Sequence, residues 1–312
     1  MADDAPTTVI LPTTGWNDAC EAVAEQLRPT DELLVVCDER VEPVAARTDD
    51  YPNVELVVAG EPEGCSGKAN AIAAGMEAAE TERIVWTDDD FFHPPDWLEG
   101  LRVDYERQGP TTEVPVFVGQ DPLSVALEPA YAVSGTLGVY VGNVPWAGSL
   151  VFDRRDLEDE AAFLDDLRRT VSDDGLLMEY VEVTPVKRTR RVEMGGSTRE
   201  TLENQVRFTQ ILRWHAPAST ALQALVTGVL TVGCVLFPLP ALALTTLCMA
   251  GIYATFGIRR STFLAAYPVV LAAVPLFVYG LARRSFVWGG RRYRWHDKFD
   301  VTVERAERVS PE

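Results

Sequence analysis

Three consecutive aspartates, Asp88-Asp89-Asp90, close the apolar run Ile84-Val85-Trp86-Thr87. Carboxylates at alternate positions after a strand point to one side. They can share a hard cation, Mg²⁺ or Mn²⁺, which in turn grips a diphosphate. The same residues also read as a solvated acidic turn. Asp38 follows a second apolar run, Leu33 to Cys37, where a carboxylate can hydrogen-bond a base or ribose or simply form a turn. Gly64-Cys65-Ser66-Gly67-Lys68-Ala69-Asn70 is a glycine-containing loop entering a helix, and a lysine at a helix N-terminus suits phosphate. It is not a Walker A loop, because the spacing is absent and Ala69 follows Lys68. Asp173-Asp174 opens another helix, as a cap and dipole partner or as a general base. Gln210-Ile211-Leu212-Arg213-Trp214 ends the polar part of the chain. Its Arg and Trp suit an interfacial anchor as well as a site wall.

Other chemistry-bearing residues are less directed. Arg188, Arg190 and Arg191 read first as a solvated strand end, with a lipid-headgroup contact or a phosphate clamp as the other readings. His93, His215 and His296 are too scattered for a metal site. Cys20, Cys37, Cys65, Cys234 and Cys248 show no CxxC pair and no zinc spacing, so they are expected as reduced, buried thiols.

The elements that must position these residues alternate. Thr8–Pro12, Glu32–Asp38, Val54–Ala59 and Arg83–Thr87 read as strands, with helices near Asp18–Leu27 and Ala69–Ala79 between them. That order means βαβ units and a mainly parallel sheet, whose ligands bind beyond the carboxyl ends of the strands. Asp38 and Asp88 both lie there. Further on, Val114–Val118, Val139-Tyr140-Val141 and Ser149–Phe152 are expected strands. Asp156–Thr170 and Gly175–Tyr180 are expected helices, Val181–Arg191 an edge strand, and Thr201–Trp214 an amphipathic helix. From Ala216 to Ile258 no residue is charged, and Pro238 and Pro240 divide the run into Ser219–Phe237 and Ala241–Gly257. Arg259-Arg260 interrupts before a third stretch, Thr262–Leu281, and Arg283-Arg284 follows. About 20 apolar residues make one bilayer crossing. Three full crossings from a cytoplasmic N-terminal domain would put the arginine-rich C-terminus outside, against the positive-inside bias. Both arginine clusters stay cytoplasmic if one stretch is re-entrant or lies in the interface, and that arrangement is expected.

The expected organisation is a catalytic domain over residues 1–200, an interface helix over 201–215, a membrane region over 216–282 and a polar C-terminal tail over 283–312. The 312 residues carry net charge -19, with 28 Lys and Arg against 47 Asp and Glu. Such acidity disfavours nucleic acid, whose phosphates would be repelled. It fits a surface adapted to a salt-rich cytoplasm, where screening relieves self-repulsion. A melting temperature indifferent to molar KCl would count against that halophilic reading. Met1-Ala2-Asp3-Asp4 has neither a basic nor an apolar signal region, so the soluble part is expected on the cytoplasmic side.

The order of the motifs resembles that of membrane-associated, inverting family 2 glycosyltransferases of GT-A fold, in particular the ceramide glucosyltransferase-like branch. The resemblance covers about Thr8 to Trp214 and part of the tail. It rests on Asp88-Asp89-Asp90 with the following Pro94-Pro95-Asp96-Trp97-Leu98, Ala147–Phe152, Ser172-Asp173-Asp174, QxxRW at Gln210, Arg213 and Trp214, and Trp288–Tyr293. It implies a hexose moved from a nucleotide-sugar, UDP-linked, to a membrane lipid acceptor at the bilayer. Asp174 would be the catalytic base, and Mg²⁺ or Mn²⁺ would sit on Asp88 and Asp90. Asp38, Lys68, Asp88 and Asp89 would bind the nucleotide side, and Gln210, Arg213 and Trp214 the acceptor and diphosphate side. The eukaryotic relatives carry an N-terminal membrane helix that is not seen here, so ceramide is not implied as acceptor. A processive polysaccharide synthase, a polyprenyl-phosphate sugar synthase and a non-catalytic membrane scaffold are the alternatives.

Overall fold

A computed structural model describes residues 5–48 and 50–306. The segment Met1 to Asp4, read above for the absence of a signal, lies outside the described residues. The chain divides into two compact units, Met1–Pro115 with Gly138–Val192, and Val116–Leu137 with Glu193–Glu312.

In the first unit the elements run β1 (Thr7–Pro12), α1 (Asp18–Ala24), β2 (Glu32–Cys37), α2 (Glu42–Thr48), β3 (Val54–Val58), α3 (Gly67–Ala78), β4 (Arg83–Thr87) and α4 (Trp97–Gln108). β5 (Thr111–Gly119) leads to α5 (Pro122–Tyr131), a π-helical turn (Ala132–Leu137), α6 (Gly138–Gly142), β6 (Ser149–Asp153), α7 (Glu160–Leu167), α8 (Asp173–Leu177) and β7 (Thr184–Met194). The sheet has the order β3-β2-β1-β4-β6-β5-β7. β1 pairs in parallel with β2 and β4, and β2 with β3, whereas β6 runs antiparallel to both β4 and β5. Helices on a mainly parallel sheet bury the strands on both faces, which is why β1, β2 and β4 are almost continuously apolar. Trp86 of β4 is fully buried between Phe152 and Phe163, at ring separations of 5.4 and 6.0 Å. α3 lies close against the sheet. A β-carbon on its Gly75 would stand 2.5 Å from Ile10 Cγ2, so only glycine permits this approach.

Two expectations fail here. Val139-Tyr140-Val141 lies in α6, a helical continuation of the π-turn, because three apolar residues alone do not separate a strand from a buried helical turn. The helix expected over Asp156–Thr170 is confined to Glu160–Leu167, where Asp159 caps it.

The second unit holds α5, α9 (Thr198–His215), α10 (Pro217–Leu236), α11 (Pro238–Thr255), a 3₁₀ turn (Ser261–Ala265), α12 (Ala266–Ala282), and strands β8 (Ser285–Trp288), β9 (Arg291–Asp297) and β10 (Asp300–Arg305). Three helical stretches are long and apolar enough to cross a membrane: Pro217–Leu236, Pro238–Thr255 and Ser261–Ala282. Only 11%, 11% and 17% of them are buried, so their apolar side chains, such as Leu225, Val229 and Leu247, face outward. Cys248, expected as a buried thiol, is exposed on α11 for this reason; the other four cysteines are buried. Leu127 and Tyr131 of α5 pack with Met194 and with Val269 of α12. The segment beyond 283, read from sequence only as a tail, is an antiparallel sheet of order β10-β9-β8. Gly289 and Gly290 make its first turn with φ of 56° and 73°, the left-handed pair that a two-residue hairpin loop requires.

Candidate active site

The register of β4 against β6 builds the site. Thr87 pairs with Ser149, so the next residues outward, Asp88 and Gly148, meet at the carboxyl edge of the sheet. There the Asp88 N–H donates to the Gly148 carbonyl at 3.2 Å, and Thr87 Oγ1 donates to the same oxygen at 3.0 Å. Gly148 must be glycine, since a β-carbon would stand 2.3 Å from the Trp146 ring. His93 buttresses the loop from behind. Its Nε2 lies 2.7 Å from Thr87 Oγ1, its ring packs on Phe91 and Trp97, and burial pushes its pKa down to about 4.

Lys68 reaches this edge from the first turn of α3. Ser66 caps that helix by accepting from Ala69 N–H at 3.0 Å, and Ser66 N–H in turn donates to the Thr170 carbonyl, which ties the loop before α8 to the same place. Lys68 Nζ stands 2.6 Å from Asp88 Oδ1 and 3.1 Å from Asp173 Oδ2. The second contact is an ion pair without hydrogen-bond geometry. Burial opposes the lysine charge, yet Asp173, Asp88 and Asp174 outweigh it and hold the Lys68 pKa well above its ordinary value. Burial raises Asp88 above the usual carboxylate range, partly offset by Lys68.

Asp174, on α8, is held by the Ala147 N–H, which donates to its Oδ1 at 2.6 Å. Burial, and then the adjoining Asp173 charge, raise its pKa to about 7. A carboxylate that titrates near neutrality is suited to taking a proton from a substrate hydroxyl. Asp90 keeps more than a third of its surface in solvent. Surrounding protein and the Asp88 charge raise its carboxyl too, and the open edge tempers the size of that rise. Asp89 turns the other way, accepting from Thr13 Oγ1 at 2.6 Å and Asn17 Nδ2 at 2.9 Å, so it fastens the β1–α1 loop to the acidic loop. Asp38 is half-buried directly after β2. Among the described residues no three His, Cys, Asp or Glu side chains converge to hold a metal ion by themselves. Asp88 and Asp90 nevertheless offer the all-oxygen donors that Mg²⁺ or Mn²⁺ prefers, with room for oxygens supplied by a ligand.

A family model described as glycosyl transferase family 2 matches residues 17–132, from the cap of α1 through the acidic loop to the end of α5. The protein is a transferase enzyme, and its mainly parallel sheet with the reversed β6 is a GT-A fold. Among solved structures, glucosyl-3-phosphoglycerate synthase from Mycobacterium tuberculosis with bound phosphoglyceric acid is 16% identical over 61% of this chain and 71% of its own, with a TM-score of 0.40. The same mycobacterial enzyme with Mn²⁺, UDP and glucosyl-3-phosphoglycerate is 16% identical over 61% and 72%, TM-score 0.39. Mannosyl-3-phosphoglycerate synthase from Rubrobacter xylanophilus is 14% identical over 67% and 74%, TM-score 0.42. A search of curated proteins gives no match.

Of the residues singled out from the glycosyltransferase's sequence, Lys68, Asp88 and Asp174 come together in the first unit, with Asp89 and Asp90 on the same loop. Gln210, Arg213 and Trp214 lie on α9 in the second unit. Gln210 Nε2 donates to the Gly280 and Arg283 carbonyls, both at 2.8 Å, and the Arg213 guanidinium lies over the Trp214 ring at 4.9 Å. Asp173, read from sequence with Asp174 as a capping or general-base pair, faces Lys68. Sequence reasoning passed over the Ala147 N–H, which is backbone and leaves no residue-type signal. The arginines of β7 need correction. Arg188 and Arg190 are not a solvated strand end; they clamp Glu113, which is fully buried and also accepts from Ser149. Positions two apart on a strand share a face, so both guanidinium groups meet the same carboxylate while Arg191 points out.

Proposed function

We propose that this enzyme transfers a hexose, with inversion, from a nucleotide-sugar, UDP-linked, to a hydroxyl of a membrane lipid. The observation that carries the reading is the meeting of Lys68, Asp88 and Asp173 beside Asp174 at the carboxyl edge of the sheet. In this reading Asp38 contacts the base, and Lys68 and Asp88 face the diphosphate. Asp174, fixed by the Ala147 N–H, takes the acceptor proton as the hydroxyl oxygen attacks the anomeric carbon. Asp88 and Asp90 would hold Mg²⁺ or Mn²⁺, which when bound neutralises charge on the departing diphosphate. Gln210, Arg213 and Trp214 are assigned to the acceptor and diphosphate side. Proton removal supplies a factor of about 10²–10⁴ in rate.

The outward-facing apolar helices support a lipid acceptor. The hydrogen bonds of the second unit also bear on how these helices meet the bilayer. At one end of the third stretch, Arg260 Nε and Thr262 Oγ1 donate to Glu128 of α5 at 2.7 and 2.5 Å. At its other end, Gln210 of α9 holds the Gly280 and Arg283 carbonyls. Among the described residues nothing before Pro217 is long and apolar enough to cross a membrane, so α5 and α9 share one side. Both ends of α12 are therefore assigned to that side, with α12 in the membrane surface and α10 and α11 crossing out and back. This puts Arg259, Arg260, Arg283 and Arg284 together, as the positive-inside bias asks. A cysteine introduced at Ser285 should be labelled by an impermeant maleimide only in inside-out vesicles; labelling in intact cells would reject the assignment.

The transfer itself is tested by incubating the protein in its own lipid extract with a panel of radiolabelled nucleotide-sugars. Label entering the organic phase with one donor, dependent on added divalent metal, is expected. Label confined to water-soluble products would reject the lipid acceptor.

A further inference from the structure

The second unit contains a cavity of about 500 Å³ lined in part by Arg199, Leu202, Glu203, Tyr279, Arg283 and Arg292. Three arginines against one glutamate is an unusual balance in a chain with 28 basic and 47 acidic residues. Several arginines elsewhere sit on carboxylates, as Arg83 does on Asp153 and Glu106, Arg102 on Asp31, and Arg260 on Glu128. Arg199 and Arg292 have no such partner among the described residues. The glutamate in the cavity is already engaged: Glu203 accepts from the Val287 N–H at 3.1 Å and lies 3.9 Å from Arg283. Arg283 is steered by donating to the Tyr279 hydroxyl at 2.7 Å. Arg199 and Arg292 thus line, without a carboxylate of their own, a space of mixed polar and apolar surface large enough for a ligand.

Guanidinium groups bind phosphate oxygens in paired, charge-assisted hydrogen bonds. The apolar surroundings narrow the source of that phosphate. Tyr279 belongs to the last turn of α12, so the apolar stretch Ser261–Ala282 runs out at the rim of the cavity. A ligand with a phosphate in the cavity and hydrocarbon along that stretch meets both surfaces. We infer that the Arg199, Arg283 and Arg292 cavity binds the phosphate of an anionic membrane lipid. The inference rests on the membrane association proposed above but not on the transfer chemistry.

The full chain, purified in a non-ionic detergent, would be melted with short-chain phosphatidic acid, with phosphatidylcholine of equal chain length, and with inorganic phosphate. Phosphatidic acid alone is expected to raise the melting temperature at low concentration. In an Arg199→Gln, Arg292→Gln double variant its half-saturating concentration should rise about tenfold or more, as the loss of charge-assisted bonds implies. Arg294→Gln, whose guanidinium faces Glu304 outside this lining, should respond like wild type. An unchanged response in the double variant, or phosphatidylcholine matching phosphatidic acid, would overturn the inference. Inorganic phosphate matching phosphatidic acid would overturn the lipid assignment in favour of a free phosphate. Metal-dependent UDP binding, followed in the same samples, should be equal in the double variant and wild type. Its absence from both would count against the transferase site while leaving the lipid result standing.

Discussion

Replacing Asp174 by asparagine separates the base from the scaffold that holds it. The Asn Oδ1 still accepts from the Ala147 N–H, which meets Asp174 at 2.6 Å, so α8 and the loop at Ala147 should keep their places. What disappears is the proton acceptor. The expected loss in kcat is about 10²–10⁴, or roughly 3–5 kcal/mol of barrier. The pH profile adds a second readout. With its pKa raised to about 7, Asp174 is half ionised near neutrality, and the wild-type rate should fall about tenfold per unit as pH drops below that value. The neighbouring Asp90 carboxyl is raised as well, but a saturating divalent cation would displace its proton, so the limb that survives saturation belongs to Asp174. The assay is release of nucleoside diphosphate at saturating metal and donor, with donor affinity measured by calorimetry at each pH. Unaltered donor affinity, a large loss of kcat and no acid limb in the residual rate are expected. An asparagine variant within tenfold of wild type, or one that keeps the limb, would refute the base assignment.

Two stability predictions follow from the first unit. Glu113→Gln leaves Arg188 and Arg190 without their buried carboxylate, at a cost of about 3–5 kcal/mol; differential scanning calorimetry should show a lowered melting temperature, and an unchanged one would contradict the clamp. Burial lowers the His93 pKa from 6.5 to about 4, so between those values the unfolded chain binds the extra proton. The contribution is complete above pH 6.5 and is lost as pH falls towards 4. It amounts to up to roughly 3 kcal/mol. His93→Gln should flatten the fall in denaturant stability across that window, and an equally steep fall in the variant would sink the idea.

Much of the sheet was legible because parallel strands buried on both faces write themselves as apolar runs ending in acids, as Leu33–Cys37 and Ile84–Thr87 do. The acidic loop was visible for the same reason, and Lys68 and the Asp173-Asp174 pair because each opens a helix. What was not legible depended on partners distant in sequence. Arg188 and Arg190 looked solvated because Glu113, their partner, lies on another strand. Asp89 looked like its neighbours until Thr13 and Asn17 were seen to hold it. The C-terminal sheet did carry a local signal: Gly289-Gly290 lies between runs in which Phe286 and Trp288, then Tyr293 and Trp295, recur at alternate positions. Its length, short beside the apolar helices, made it read as a tail.

The central claim is that Lys68, Asp88 and Asp90 form a metal-assisted site for a nucleoside diphosphate. Isothermal calorimetry of UDP binding with and without Mn²⁺ tests it most directly. Binding that appears only with the metal, and is lost in Asp88→Asn, is the predicted result. UDP binding that ignores the metal, or no binding under either condition, would contradict the claim.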